Sequence, residues 1–164
     1  MKKLITTILA LFTMSTFASV LMSPDFGSEL CEAWNMNDTL TKDLSDWMDN
    51  NLGRGYKVML MKRNDCESSP MIQLTLQKVD GLVWCTYGGI ATHEANDKAD
   101  YIMTADTKHW VEMGNGEYGP AKAMLTGKLK FKGPKGEAMA NIKPFGSFLT
   151  LIAEPQGDAS VCPQ

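Results

Sequence analysis

Lys98-Ala99-Asp100-Tyr101-Ile102-Met103-Thr104-Ala105-Asp106 opens a stretch, running on to Ala140, from which the fold can be read. The run Asp100 to Ala105 reads as a strand, and Asp106 or Thr107 can cap a helix that carries Trp110, Val111 and Met113. Pro120 suits the first position of a short second helix through Leu125, which Gly127 ends. Leu129 and Phe131 then alternate with Lys128, Lys130 and Lys132 as a half-buried strand, and Gly136-Glu137-Ala138-Met139-Ala140 starts a further helix. The order is strand, helix, helix, short strand, helix. Gly114 to Gly119 matches G-x-G-x-x-G, but it follows a helical pattern instead of a strand, so it is a turn and not a dinucleotide motif.

Downstream, Pro144 lacks an amide proton and its ring crowds the preceding turn, so the last helix should break around Asn141 to Lys143. Beyond the break, Phe145, Phe148, Leu149 and Ile152 form an apolar face that Pro155-Gln156-Gly157 ends. Upstream, Tyr56 to Arg63, Met71 to Val79 and Leu82 to Tyr87 read as an antiparallel meander. In its second strand Ile72, Leu74 and Leu76 alternate with Gln73, Thr75 and Gln77, and Asp80-Gly81 turns it into the third. Gly88-Gly89 to Lys98 reads as a long loop. Before the meander, Ser23-Pro24-Asp25 starts a helix with Phe26, Leu30 and Trp34 on one face; Asn37-Asp38 starts another with Leu40, Leu44 and Trp47 in a stripe.

The first residues differ in kind. Lys2 and Lys3 precede the apolar run Leu4 to Phe12 and the small-residue site Thr16-Phe17-Ala18, the pattern of a secretory signal peptide cleaved after Ala18. Residues 19–164 then form one domain in a periplasmic or secreted product. Cys31, Cys66, Cys85 and Cys162 fit that oxidising compartment, and at least one disulfide is expected; three connectivities are possible, and Cys85 could equally be a buried thiol. With Lys2 and Lys3 removed, 14 basic residues face 19 acidic ones, net −5. That balance argues against nucleic acid as partner. One local cluster, Lys122, Lys128, Lys130, Lys132 and Lys135, has a solvated strand face as its first reading and a docking patch for lipid headgroups, with transient membrane contact, as its second.

No catalytic constellation assembles. His93 and His109 are the only histidines, neither with an acid spaced for a metal set or a triad, and no P-loop, G-x-S-x-G or H-E-x-x-H is present. Catalytic residues, metal ligands and cofactors are therefore not assigned. The surplus is apolar and flexible: 12 methionines, among them Met103, Met113, Met124 and Met139, a residue type that repacks readily around irregular guests.

The strand between Ala99-Asp100 and Ala105-Asp106, Pro120-x-x-Ala123, Gly127-Lys128-Leu129 closing on Gly133, and Gly136-x-Ala138-Met139 together resemble the sterol carrier protein type 2 family. The resemblance implies an α+β domain with a five-stranded, mainly antiparallel sheet covered on one face by helices and a hydrophobic cavity between them. It also implies non-catalytic binding, with transfer, of a lipid, fatty acyl chain or sterol-like molecule. Candidate lining residues are Met103, Trp110, Met124, Leu129 and Phe131, followed by Met139, Ile142, Phe145, Phe148 and Leu149. Two other classes compete: a structural or dimerisation module with a packed core and no ligand, and a thiol-based periplasmic redox protein.

Overall fold

The computed structural model describes residues 18–164. The signal-peptide reading falls on residues outside those described. Helix α1 (Pro24–Met36) starts as its sequence predicts: Pro24 occupies the first turn, and the Ser23 side chain accepts from the Phe26 amide at 3.2 Å. Phe26, Leu30 and Trp34 are all buried on its inner face. Asn37 caps α2 (Asp38–Lys42) in the same way, through the Leu40 amide. The single helix expected to run from Asn37-Asp38 past Trp47 is instead α2 and a separate 3-10 turn over Asp46–Asp49. Asp43, Ser45 and Asp46 compete with helical hydrogen bonding there, yet Leu40, Leu44 and Trp47 still reach the core.

Strands β1 (Tyr56–Arg63), β2 (Ile72–Val79), β3 (Leu82–Ile90), β4 (Tyr101–Ala105) and β5 (Lys130–Lys132) form one sheet in the order β3-β2-β1-β4-β5. Every pairing is antiparallel except β1 with β4, so the expected meander and mainly antiparallel sheet are both present. Helices α1, α3 (Thr107–Gly114) and α6 (Ile142–Leu151) cover one face. Between them and the sheet lie Met59, Met61, Leu74, Trp110 and Phe148, all at most 3% exposed.

β3 and β4 both run parallel to β1, so the link between them must cross the sheet, and it does so with no helix. Gln73, on the polar side of the alternation in β2, anchors that crossing from full burial. Its Oε1 accepts from the amides of Thr92 and His93, both at 3.0 Å, and its Nε2 donates to Thr75 Oγ1 at 2.7 Å. The alternation in β2 is as read, but its polar side is covered by the crossing chain. A buried amide with these partners meets the rule that interior polar groups be hydrogen-bonded.

The end of β3 also departs from expectation. Gly88 and Gly89 are strand, not loop, because α1 packs directly on them: a Cβ on Gly88 would collide with the Gly27 carbonyl oxygen and lie 2.6 Å from Cys31 Cβ. The Cys31–Cys85 disulfide closes the same contact, and Cys66–Cys162 ties the chain's end to the β1–β2 link. Both disulfides close long loops, 54 and 96 residues apart, worth about 4 and about 5 kcal/mol respectively if chain entropy alone acts. The Arg63 guanidinium reinforces the second tie by donating to the carbonyls of Leu21, Ala159 and Val161.

Asp106 stands at the N-cap position of α3, but its side chain does not cap. Asp65 does: its Oδ1 accepts from the Thr107 amide at 2.9 Å and the Thr107 hydroxyl at 2.8 Å. The predicted break in the tail falls at Asn141, between α5 (Lys135–Ala140) and α6, with Pro144 in the first turn of α6 where its missing amide proton does no harm.

Candidate functional site

Three short elements near the edge of the sheet, α4 (Pro120–Leu125), β5 and α5, bound an apolar groove of about 360 Å³. Ala121, Met124 and Leu125 enter it from α4 at the i, i+3, i+4 spacing of one helix face, and Leu129 and Phe131 enter from the last strand segment. Met139 comes from α5, and Lys135 is the only charged side chain in the lining. The rim is exposed: Leu125 keeps 88% of its surface in water and Met139 47%.

Each wall is fixed by a polar anchor behind it. Glu137 holds α5 against the sheet: Lys57 Nζ meets its Oε1 at 2.6 Å, and Asn50 Nδ2 donates to its Oε2 at 2.7 Å. Lys57 is fully buried, also donates to the Trp47 carbonyl, and sits 4.0 Å from the centre of the Trp47 ring. Burial lowers the Lys57 pKa despite the opposing pull of Glu137. Near α4, the Tyr118 hydroxyl, His109 Nδ1 and Lys128 Nζ converge on Glu112 Oε2 at 2.7, 3.0 and 3.2 Å. Hydrogen bonds from Tyr118 and His109 pull that carboxyl down to about 2. His109, which sequence reading left isolated, thus belongs to the anchor of the turn that leads into α4.

Phe131 forms the inner end of the groove. Its ring meets Tyr101 edge-on at 4.9 Å and Phe145 at 5.8 Å. Tyr101 is held in turn by the Trp47 indole, which donates to its hydroxyl at 2.9 Å, and burial raises the phenol's pKa above its ordinary value. Behind these rings a void of about 20 Å³ remains, lined by Trp34, Trp47, Met59, Tyr101, Phe145 and Phe148. That is room for roughly one water.

The structure divides the ten sequence-derived lining residues. Met124, Leu129, Phe131 and Met139 share the groove, whereas Phe145 and Phe148 line the inner void. Trp110 faces a separate hollow of about 160 Å³ beside Leu21 and Ile152, and Leu149 a shallow one near Met113 and Tyr118. Met103 is buried opposite Phe131 in the register, and Ile142 is half-buried at the start of α6; neither borders any of these spaces. Sequence reading missed Ala121, Leu125 and Lys135. The spacing of Ala121, Met124 and Leu125 was a usable signal for the first two; nothing in the lysine alternation singled out Lys135.

Among the described residues, no group of three or more His, Cys, Asp or Glu side chains could hold a metal, and no helix is long and apolar enough to cross a membrane. All four cysteines are disulfide-bonded, which leaves the thiol-redox reading without a free thiol.

The profile described as the SCP-2 sterol transfer family matches residues 40–146. Two curated relatives, each described as hydroxysteroid dehydrogenase-like protein 2, are similar over shorter stretches: that of Xenopus tropicalis is 37% identical over 59 residues, and that of Rattus norvegicus 38% over 66. These matches cover 36% and 37% of this chain but only 14% and 13% of the relatives. A crystal structure of sterol carrier protein 2 superposes with a TM-score of 0.54 at 17% identity, over 82% of this chain and 98% of that one, which establishes the fold. The family match spans the meander, the groove-forming elements and the start of α6, and the chain belongs to the SCP-2 sterol transfer family.

Proposed function

We propose that this chain binds a single hydrophobic molecule, a lipid, fatty acyl chain or sterol-like compound, and transfers it in the extracytoplasmic space without catalysing a reaction. The observation that carries the reading is the apolar groove between α4, β5 and α5, whose roughly 360 Å³ lies within the range that ligand sites take. Met124, Leu129, Phe131 and Met139 supply contact to the guest. Apolar burial at roughly 25 cal/mol per Å² provides affinity without directional bonds. Phe145 and Phe148 form the deep end: the Phe131 ring stands between groove and inner void, and its rotation joins them for a longer guest. The two disulfides and the signal-like first residues support the extracytoplasmic placement.

The test is lipid extraction and mass spectrometry of protein purified from its native host, with native mass spectrometry alongside. A stoichiometric co-purifying lipid is expected. Ligand-free protein that also fails to take up a fluorescent fatty acid overturns the reading in favour of a packed structural module.

A further inference from the structure

We propose that Lys57 and Asn50 form a receptor for a carboxylate carried by the guest, and that Glu137 occupies this receptor while the protein is empty. The inference rests on the lipid-binding reading above and narrows its guest class: acidic amphiphiles, such as long-chain carboxylic acids, in preference to neutral ones. The Glu137 carboxylate is gripped at both oxygens by separate donors, Oε1 by Lys57 Nζ at 2.6 Å and Oε2 by Asn50 Nδ2 at 2.7 Å. Neither donor lies on α5. Lys57 is on β1 and also donates to the Trp47 carbonyl; Asn50 follows the 3-10 turn and also donates to the Lys98 carbonyl. The acceptor arrives on α5, which is six residues long, buries one of them, Ala138, and ends at the break at Asn141. Two donors fixed elsewhere in the fold thus hold a carboxylate supplied by a short wall of the groove.

Holding α5 in place does not by itself account for a fully buried ammonium. Desolvating an ion pair costs about as much as its attraction returns, so apolar side chains of similar size would tie the helix equally well. What the pair adds is exchange: a second carboxylate can replace that of Glu137 without leaving Lys57 unpaired, and the folded protein has already desolvated the ammonium. The position suits a guest in the groove. Lys57 Nζ lies 5.5 Å from the centre of the Tyr101 ring, and that ring meets Phe131, the inner end of the groove, at 4.9 Å. The Glu137 side chain keeps 17% of its surface exposed, so the receptor is reached from water on the α5 side. Once displaced, Glu137 turns outward with α5 pivoting at Asn141, which borders the inner void together with Pro144. Lys135, on the groove lining, is a weaker candidate for the same task, because it is exposed and an ion pair there is screened by water.

The experiment compares uptake of a fluorescent long-chain fatty acid and of its methyl ester by the whole protein. The wild type should bind the acid about ten-fold more tightly, the worth of one hydrogen-bonded charge. Glu137→Ala leaves Lys57 buried without a counter-ion, so its thermal midpoint should fall and should be restored by the acid but not by the ester. Lys57→Met combined with Glu137→Met replaces the pair by apolar side chains and should bind both guests alike; this double variant decides the matter even where Glu137→Ala does not fold. Equal affinities for acid and ester in the wild type overturn the receptor and leave the ligand reading standing. A preference for the acid that survives in the double variant overturns it too, by placing the carboxylate elsewhere, as does a folded Glu137→Ala protein whose midpoint the acid leaves unchanged. Uptake of neither guest by the wild type overturns the ligand reading itself.

Discussion

The contact between α1 and β3 and the corner of α4, β5 and α5 lie in one domain but are built in opposite ways. At the first, backbone meets backbone: Gly27 sits on Gly88 and Gly89, and the Cys31–Cys85 disulfide locks the pair. Trp34 donates to the Val83 carbonyl at 3.0 Å, and Asn35 bonds both the amide and the carbonyl of Cys85. At the second, elements of three to six residues are held by a few polar anchors around space that no side chain fills. Close packing and a covalent link make the first side stiff, whereas short elements bordering a groove can open locally at lower cost. The carrier role proposed above needs both: a scaffold that does not yield and a wall that does.

The sharpest way to break this contrast is at the scaffold. Replacing both Cys31 and Cys85 by Ser should cost about 4 kcal/mol, read as a lower midpoint in guanidinium unfolding. Gly88→Ala should cost about 3 kcal/mol in the same assay, since its Cβ meets backbone that cannot step aside. The paired control is Gly136→Ala in α5, where a Cβ meets nothing within 4 Å; it should leave stability unchanged or raise it by up to about 1 kcal/mol. Equal losses at Gly88 and Gly136 would erase the distinction between the two regions.

A pH series examines the join between the sheet and the crossing chain. Asp100 is fully buried and accepts both guanidinium nitrogens of Arg54, at 2.9 and 2.7 Å, as well as the amides of Val58 and Asn96. Burial disfavours its charge, but the Arg54 and backbone hydrogen bonds outweigh that and hold its pKa below the ordinary value. Because the folded pKa is the lower one, the stabilisation is complete above the unfolded pKa near 4 and is lost as pH falls through the folded value. The slope for one proton is at most about 1.4 kcal/mol per pH unit. Asp100→Asn should flatten the acid limb of stability measured by thermal unfolding. The smallest effect on stability is expected at the groove: Met124→Asp should change stability by less than about 1 kcal/mol yet weaken fatty acid uptake about ten-fold, near 1.4 kcal/mol of binding.

Much of this was legible in the chain because the signals are local. Ser23 before Pro24 and Asn37 before Asp38 cap helices with their own side chains, Asp80-Gly81 turns a hairpin, and Pro144 forces the break at Asn141 through its missing amide proton. The order of pieces from Lys98 to Ala140 was enough to suggest the family. What tertiary structure alone decided depends on partners distant in sequence. Gly88 and Gly89 became strand because α1 lies on them; Gln73 is buried because the link to β4 crosses above it; and Asp65, not Asp106, caps α3 from another loop. The site followed the same division. Periodicity marked apolar residues without saying which of them enclose space: Met103 and Met124 read alike, yet one is buried in the sheet and the other lines the groove, because enclosure is set by which elements face each other and not by what a side chain is made of.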